Sequence, residues 1–157
     1  MRLMERTGPG RYYGAESGGL GLGMGMALGM KCAAPERPVV TLIGDGTFNY
    51  NPVIAALGFS QEYKMPTTTI IMNNAGYLSM KRGITNLYPQ GWAAKSNTFF
   101  GATITPNPRY AALAAAFDAH GETVEGPAEI APALRRAFDA ERSGQAALVD
   151  VRLAPDG

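Results

Sequence analysis

One cysteine and one histidine in 157 residues exclude a good deal of chemistry. Cys32 alone cannot close an internal disulfide or build a cysteine-rich metal site, and His120 alone cannot support histidine-based zinc chemistry or a multi-histidine relay. Charge is sparse and balanced, with 14 Lys and Arg against 13 Asp and Glu for a formal net charge of +1. No Lys/Arg run forms a stripe for a polyanion, so nucleic acid is not an expected partner. The uncharged stretch from Ser17 to Met30 is 14 residues long, short of the roughly 20 that cross a bilayer. Its Gly21, Gly25 and Gly29 repeat at a spacing used between membrane helices, but the length favours a buried helix passing close to another backbone. The first residues mix Arg2, Glu5 and Arg6 with few apolar ones, so no secretory signal is expected, and a cytoplasmic location follows.

What is present describes one domain large enough to bury a core: 46% hydrophobic residues and 17% charged. Residues 1–17 are polar and turn-rich and read as a lead-in, and residues 18–157 form the domain. The glycine-rich segment from Gly18 runs into a helix ending near Cys32, stopped by Pro35. Glycine costs a helix about 1 kcal/mol against alanine, so Gly19, Gly21, Gly23, Gly25 and Gly29 imply close backbone approach to a ligand or another chain. An apolar strand spans 39–43, and a helix follows from Asn51 or Pro52 to Tyr63, with Asn51 as N-cap and Pro52 at the first position. A second strand covers 67–72, a short helix starts near Tyr77 and fades by Gly83, and residues 84–106 form a long loop without clear period. Asn107-Pro108 opens a helix through Ala119, a short strand covers 122–124, and a helix over 128–143 carries Ile130, Leu134 and Phe138 on one face. A strand at 147–152 completes the fold. Strands alternating with helices imply an α/β domain of three layers with a mostly parallel sheet.

Two motifs close the first two strands. Gly44-Asp45-Gly46 follows Val39-Val40-Thr41-Leu42-Ile43, and Asn73-Asn74 follows Thr68-Thr69-Ile70-Ile71-Met72. Either alone is an ordinary turn. Together, each directly after an apolar strand and separated by one helix, they place oxygen-bearing side chains at the carboxyl ends of two parallel strands, where open α/β sheets bind ligands. A hard cation held against a phosphate suits such oxygens: an Asp carboxylate, an Asn amide and a main-chain carbonyl would supply three of magnesium's six donors.

This pair of motifs resembles the thiamine-diphosphate enzyme family, in the domain that binds the cofactor's diphosphate. The likeness runs from about Arg11 to Arg152 and is greatest to benzoylformate decarboxylase and the acetolactate synthase group. It implies magnesium ligation by Asp45 and Asn74 through side chains and by Gly76 through its carbonyl, with Asn73 ordering the turn. Gly44, Gly46 and Thr47 would let the backbone approach the diphosphate, helped by the N-terminus of the following helix. Gly18, Gly19 and Leu20 would cradle the middle of thiamine diphosphate, the Gly18 carbonyl accepting from its pyrimidine amino group and Leu20 propping its rings. Tyr77, which also borders the cofactor, Ser79 and Met80 would face a 2-keto acid substrate. His120, after an alanine-rich helix, reads as a helix C-terminal cation rather than a catalyst. Glu62 and Lys64 read as a solvated helix end, while Trp92, Phe99 and Phe100 are open between core and interface.

The same resemblance implies what is missing. The family's catalytic glutamate lies in a separate pyrimidine-binding domain, and no segment here resembles it, so no catalytic residue is expected in this chain. The diphosphate domain itself looks truncated at its N-terminal side. A pyrimidine-binding domain, on another chain or in a missing N-terminal region, is the expected partner, along with homo-oligomer formation. A non-catalytic assembly module and the diphosphate-domain subunit of a two-subunit decarboxylase are the alternatives. Asp45-Gly46-Thr47 also resembles the nucleophile motif of haloacid-dehalogenase-type phosphatases, but that nucleophile would fall on Ile43, which cannot form an aspartyl phosphate.

Overall fold

The computed structural model describes residues 9–14 and 19–154. Four parallel strands form one sheet: β1 (Val40–Gly44), β2 (Thr68–Asn73), β3 (His120–Val124) and β4 (Ala147–Arg152), in the spatial order β1-β2-β4-β3. Parallel strands require crossovers, and here they are helical. Helices α1 (Gly23–Ala33) and α3 (Val53–Glu62) and a 3-10 helix at Tyr110–Phe117 cover one face, while α6 (Pro127–Arg142) covers the other. Between them lie α2 (Asp45–Asn49), α4 (Leu78–Leu87) and α5 (Trp92–Ser96). The expected three-layer α/β arrangement is what forms.

Side-chain alternation along the strands sorts the core into two halves. Ile71 and Leu148 meet Met24, Ala56, Leu57 and Ala114 on the first face. Val149, Val151 and Val124 meet Ala133 and Ala137 of α6 on the second. In α6 the buried stripe is therefore alanine, with Ile130 packed beside it and Leu134 and Phe138 only half-buried. The sheet needs a close helix there, and small side chains allow it. Both faces end at β1, an edge strand whose Val40 and Leu42 are 45% and 42% exposed on the α6 side.

Several elements differ from the sequence reading. Residues 84–106 are not a single irregular loop: α4 continues to Leu87, and α5 forms within the segment. The helix expected from Asn107 to Ala119 is a 3-10 helix confined to Tyr110–Phe117. Gly121 lies so close beneath it that an added Cβ would stand 2.1 Å from the Ala111 carbonyl oxygen. Asn51 does not cap α3. Its Oδ1 accepts from Met24 N at 2.9 Å, capping α1 from outside, while its Nδ2 donates to the Thr47 carbonyl at 2.9 Å. Within this chain, Gly21 (φ +85°) approaches the Tyr50 carbonyl and Gly23 approaches Thr41 and Ile43, while Gly25 and Gly29 face open space. His120 is not at a helix end. It opens β3, and its Nε2 lies 3.2 Å from Glu122 Oε2.

The amino ends of the strands are fastened by a buried charge cluster. Glu141 of α6 accepts from Val39 N (2.9 Å), from the Thr68 hydroxyl (2.7 Å) and from Lys31 Nζ (3.4 Å). Lys31 also donates to the Arg37 carbonyl at 2.9 Å. A buried ion pair tolerates its desolvation when the remaining polar atoms are satisfied in this way.

Candidate functional site

At the opposite, carboxyl end of the sheet, β1 stops at Gly44 and the chain turns at once into the single-turn α2. This puts Asp45 in the crevice between the ends of β1 and β2, 1% exposed. Two main-chain donors fix its carboxylate: Gly46 N reaches Oδ1 at 2.8 Å, and Gly76 N reaches Oδ2 at 3.0 Å. A buried carboxylate with two charge-assisted hydrogen bonds and, among the described residues, no cationic side chain bonded to it is poised to take a positive partner.

The partner side is the turn after β2. Asn74 directs one end of its carboxamide at Asp45 Oδ1 (3.1 Å) and at the Gly76 carbonyl oxygen (3.0 Å). With the NH2 turned inward it donates to both oxygens; turned through 180°, its oxygen joins them, and three oxygens share one face. Cis donors around an octahedral magnesium with bonds of 2.0–2.1 Å stand about 2.9 Å apart, which these separations match. Among the described residues no three His, Cys, Asp or Glu side chains cluster to hold a metal. A metal centre here draws on amide and main-chain oxygens, a donor set that suits a hard cation.

Beneath the turn lies a second polar layer. Asn73, fully buried at the end of β2, accepts from Ala75 N at 3.1 Å and from Asn107 Nδ2 at 3.1 Å. Its own Nδ2 donates to Asp150 Oδ1 at 2.8 Å and lies 3.3 Å from Asn107 Oδ1. Ala75 is held at φ +58°, a left-handed conformation that a side chain rarely adopts unaided. Asp150, on β4 beside Asn73, is completely buried, and Arg152 Nη2 lies 2.9 Å from its Oδ2 while donating to the Pro108 carbonyl at 3.0 Å. Burial pushes the Asp150 carboxyl above the usual carboxylate range, opposed by the Asn73 hydrogen bond and Arg152. Burial likewise raises the Tyr110 phenol, with the Asn49 side chain beside it acting the other way.

Gly46 and Gly76 are required by contact. A Cβ on Gly46 would stand 2.6 Å from the Tyr77 ring, and one on Gly76 would stand 2.8 Å from the Ala102 carbonyl. Tyr77 caps α4, covers Gly46 and meets Tyr50 edge-on at 6.2 Å.

Asp45, Gly46, Asn74, Gly76 and Tyr77 therefore come together as one site, with Gly44 at its rim and Thr47 in the turn of α2. Ser79 and Met80 lie on the exposed side of α4. Gly19 and Leu20 are exposed before α1, and Gly18 lies outside the described residues. His120, at the amino end of β3, is on the far side of the sheet. The long segment stands outward: Trp92 and Phe100 stack at 5.9 Å while 63% and 88% exposed, and Lys81 lies over Phe99 at 5.3 Å. The sequence reading gives Asn51 and Asn107 only as helix starts and does not single out Asp150, so none of the three is expected in this polar framework. Only Asp150 carried a signal, as a carboxylate in the middle of the apolar run Ala-Leu-Val-Asp-Val.

Comparison with known proteins agrees with this architecture. Residues 1–151 match the family model described as thiamine pyrophosphate enzyme, C-terminal TPP binding domain. The chain belongs to that family. It is 38% identical, over 98% of its length, to the acetolactate synthase large subunit of Mycobacterium tuberculosis, of which it covers 26%. Over half of the chain it is 38% identical to benzoylformate decarboxylase of Pseudomonas aeruginosa, covering 14% of that protein. Among solved structures, the thiamine diphosphate-dependent 4-hydroxybenzoylformate decarboxylase of Rhodococcus jostii RHA1 superposes with a TM-score of 0.73 at 31% identity, covering 89% of this chain and 24% of that one. The domain thus spans about a quarter of the length of the acetolactate synthase and of the solved decarboxylase. No helix among the described residues is long and apolar enough to cross a membrane.

Proposed function

We propose that Asp45, Asn74 and the Gly76 carbonyl hold a magnesium ion that anchors the diphosphate of thiamine diphosphate, in an enzyme that decarboxylates or joins 2-keto acids. The observation that carries this reading is the Asn74 amide, set 3.1 Å from one acceptor oxygen and 3.0 Å from another. When bound, thiamine diphosphate supplies the electron sink for breaking or making the bond beside a 2-keto carbonyl. The chain's own residues bind and orient. Asp45 brings the charge that offsets the cation, and the two main-chain donors keep its carboxylate aimed. By the family resemblance, Gly44, Gly46 and Thr47 would let the backbone approach the diphosphate, and Gly18, Gly19 and Leu20 would support the middle of the cofactor. Tyr77, Ser79 and Met80, along α4, border the substrate side.

The resemblance assigns proton exchange with the pyrimidine ring to a separate pyrimidine-binding domain, so catalysis would need that domain from another chain or another part of the protein. The exposed Trp92 and Phe100, the half-buried Phe99 beside them and the face of α1 are the surfaces that would meet it, within a cytoplasmic homo-oligomer. Calorimetric titration of the assembled protein with thiamine diphosphate tests the reading: binding should require magnesium and vanish with a chelator. Binding of equal affinity without any divalent cation would refute it. The chain alone, given cofactor and several 2-keto acids, should release no carbon dioxide beyond background.

A further inference from the structure

We infer that Asp150 is a positioning residue for the metal-binding turn, acting through Asn73; the inference rests on the magnesium reading above. Asp150 touches none of the three ligand oxygens. Its Oδ1 accepts the Asn73 amide hydrogen at 2.8 Å, which fixes which way that carboxamide faces. The Asn73 oxygen is thereby turned to the Ala75 amide at 3.1 Å. Ala75 sits between Asn74 and Gly76 and has a left-handed backbone, so its amide is the point from which both ligand oxygens are set. The order is strand β4, side chain of β2, then turn: Asp150, Asn73, Ala75.

Asp150 is itself fixed. It is completely buried on a central strand, opposite Ile71 in the register, and Arg152 lies 2.9 Å from its other oxygen. Arg152 in turn donates to Pro108, next to Asn107, whose amide closes the other side of Asn73. A carboxylate that costs this much to bury, yet contributes no contact to the ligand face, is accounted for by orientation. Outer carboxylates that aim metal ligands commonly change metal affinity by about 10- to 100-fold when removed.

The test measures metal binding, not turnover. Mn2+ titrated into the assembled protein with thiamine diphosphate, with free Mn2+ followed by electron paramagnetic resonance, gives the affinity directly. Asp150→Ala should weaken it by about 10- to 100-fold, while Asp150→Asn, which keeps an oxygen for Asn73, should stay within a few-fold of the wild type. A purely structural role would instead lower the melting temperature of Asp150→Ala and leave the affinity of the folded protein unchanged, and that result overturns the inference. Should Asp150→Ala not fold, Asn107→Ala breaks the other side of the same amide at a half-buried position. Several-fold weaker Mn2+ binding is expected there, and wild-type affinity in that variant overturns the inference equally. No Mn2+ binding by the wild type would defeat the magnesium reading itself, and this inference with it.

Discussion

Asp45 and Gly76 lie 31 residues apart and are joined by a hydrogen bond of 3.0 Å from the Gly76 amide to Asp45 Oδ2. That bond ties the end of the first strand to the turn after the second. It also leaves Oδ1, already fixed by Gly46, as the oxygen facing Asn74. The backbone alone thus orients this group of oxygens.

Asp45→Ala should therefore abolish magnesium-dependent binding of thiamine diphosphate while leaving the sheet folded. Removing the only carboxylate of the face takes away its charge, and a loss of at least about 100-fold is expected, the upper end of what outer-shell changes alone produce. Calorimetry with circular dichroism on the same samples checks both halves of the statement. Undiminished affinity in a folded variant would rule out the metal role.

Gly46→Ala places a methyl group 2.6 and 2.8 Å from two atoms of the Tyr77 ring. Overpacking of this kind costs about 1–3 kcal/mol. Because the obstacle is one side chain, pairing the change with Tyr77→Ala should recover much of the loss. A denaturant-unfolding double-mutant cycle reads the coupling; additive effects would show that the ring does not set the limit.

At the other end of the sheet, Glu141→Ala leaves Lys31 buried without its carboxylate and Thr68 without its acceptor. Breaking one side of a buried pair costs about 3–5 kcal/mol, so the melting temperature should fall sharply. Metal affinity should not change in the protein that remains folded.

Acid sensitivity has a readable component in β3. Arg136 hydrogen-bonds Glu122 and, with a smaller contribution from His120, holds its carboxyl below the ordinary value of 4.5, against the opposing effect of burial. A depressed carboxyl stabilises the fold above its unfolded value and loses that contribution as pH falls through the lower folded value. Stability from this pair should thus be complete near neutrality and decline below about pH 4.5. Arg136→Met should erase that portion of the acid dependence and leave a small effect at pH 7, as expected of a partly exposed pair. Urea midpoints across pH 3–7 would show it. An unchanged acid profile would mean the pair carries no linkage.

The arm from α4 through Phe100 predicts self-association. Met80, Ile84 and Leu87 are spaced on one side of α4 and exposed, and Trp92 and Phe100 stack in the open. With Val40 and Leu42 bare on an edge strand, a soluble monomer would carry more apolar surface than such proteins usually show. Sedimentation velocity should find oligomers at moderate concentration, and a clean monomer would count against this.

The strands and both motifs were legible because their signals are local. Three runs of β-branched and apolar residues mark β1, β2 and β4, and each of the first two ends in its oxygen-bearing residues. β3 was read short because His120 and Gly121 carry no strand signal; its start is set by pairing with Ala147 and by the 3-10 helix lying on Gly121. The alanine-rich segment was read as a regular helix because alanine favours one, and that tight contact overrides the preference. The long segment hid α5, since five residues are too few to show a period. Least visible were the tertiary hydrogen bonds. Asn73 meets Asn107 and Asp150 across 34 and 77 residues, and Asn51 caps a helix 27 residues earlier. No local pattern encodes such pairings.

The two polar clusters sit at opposite ends of strands five or six residues long, about 3.3 Å per residue. Sites separated by more than about 10 Å with no shared partners change independently. Substitutions at the carboxyl-end rim can therefore change that end of the domain while the Lys31–Glu141 fastening keeps the sheet standing. A fold divided in this way offers one end as an inheritance and the other as a field for experiment.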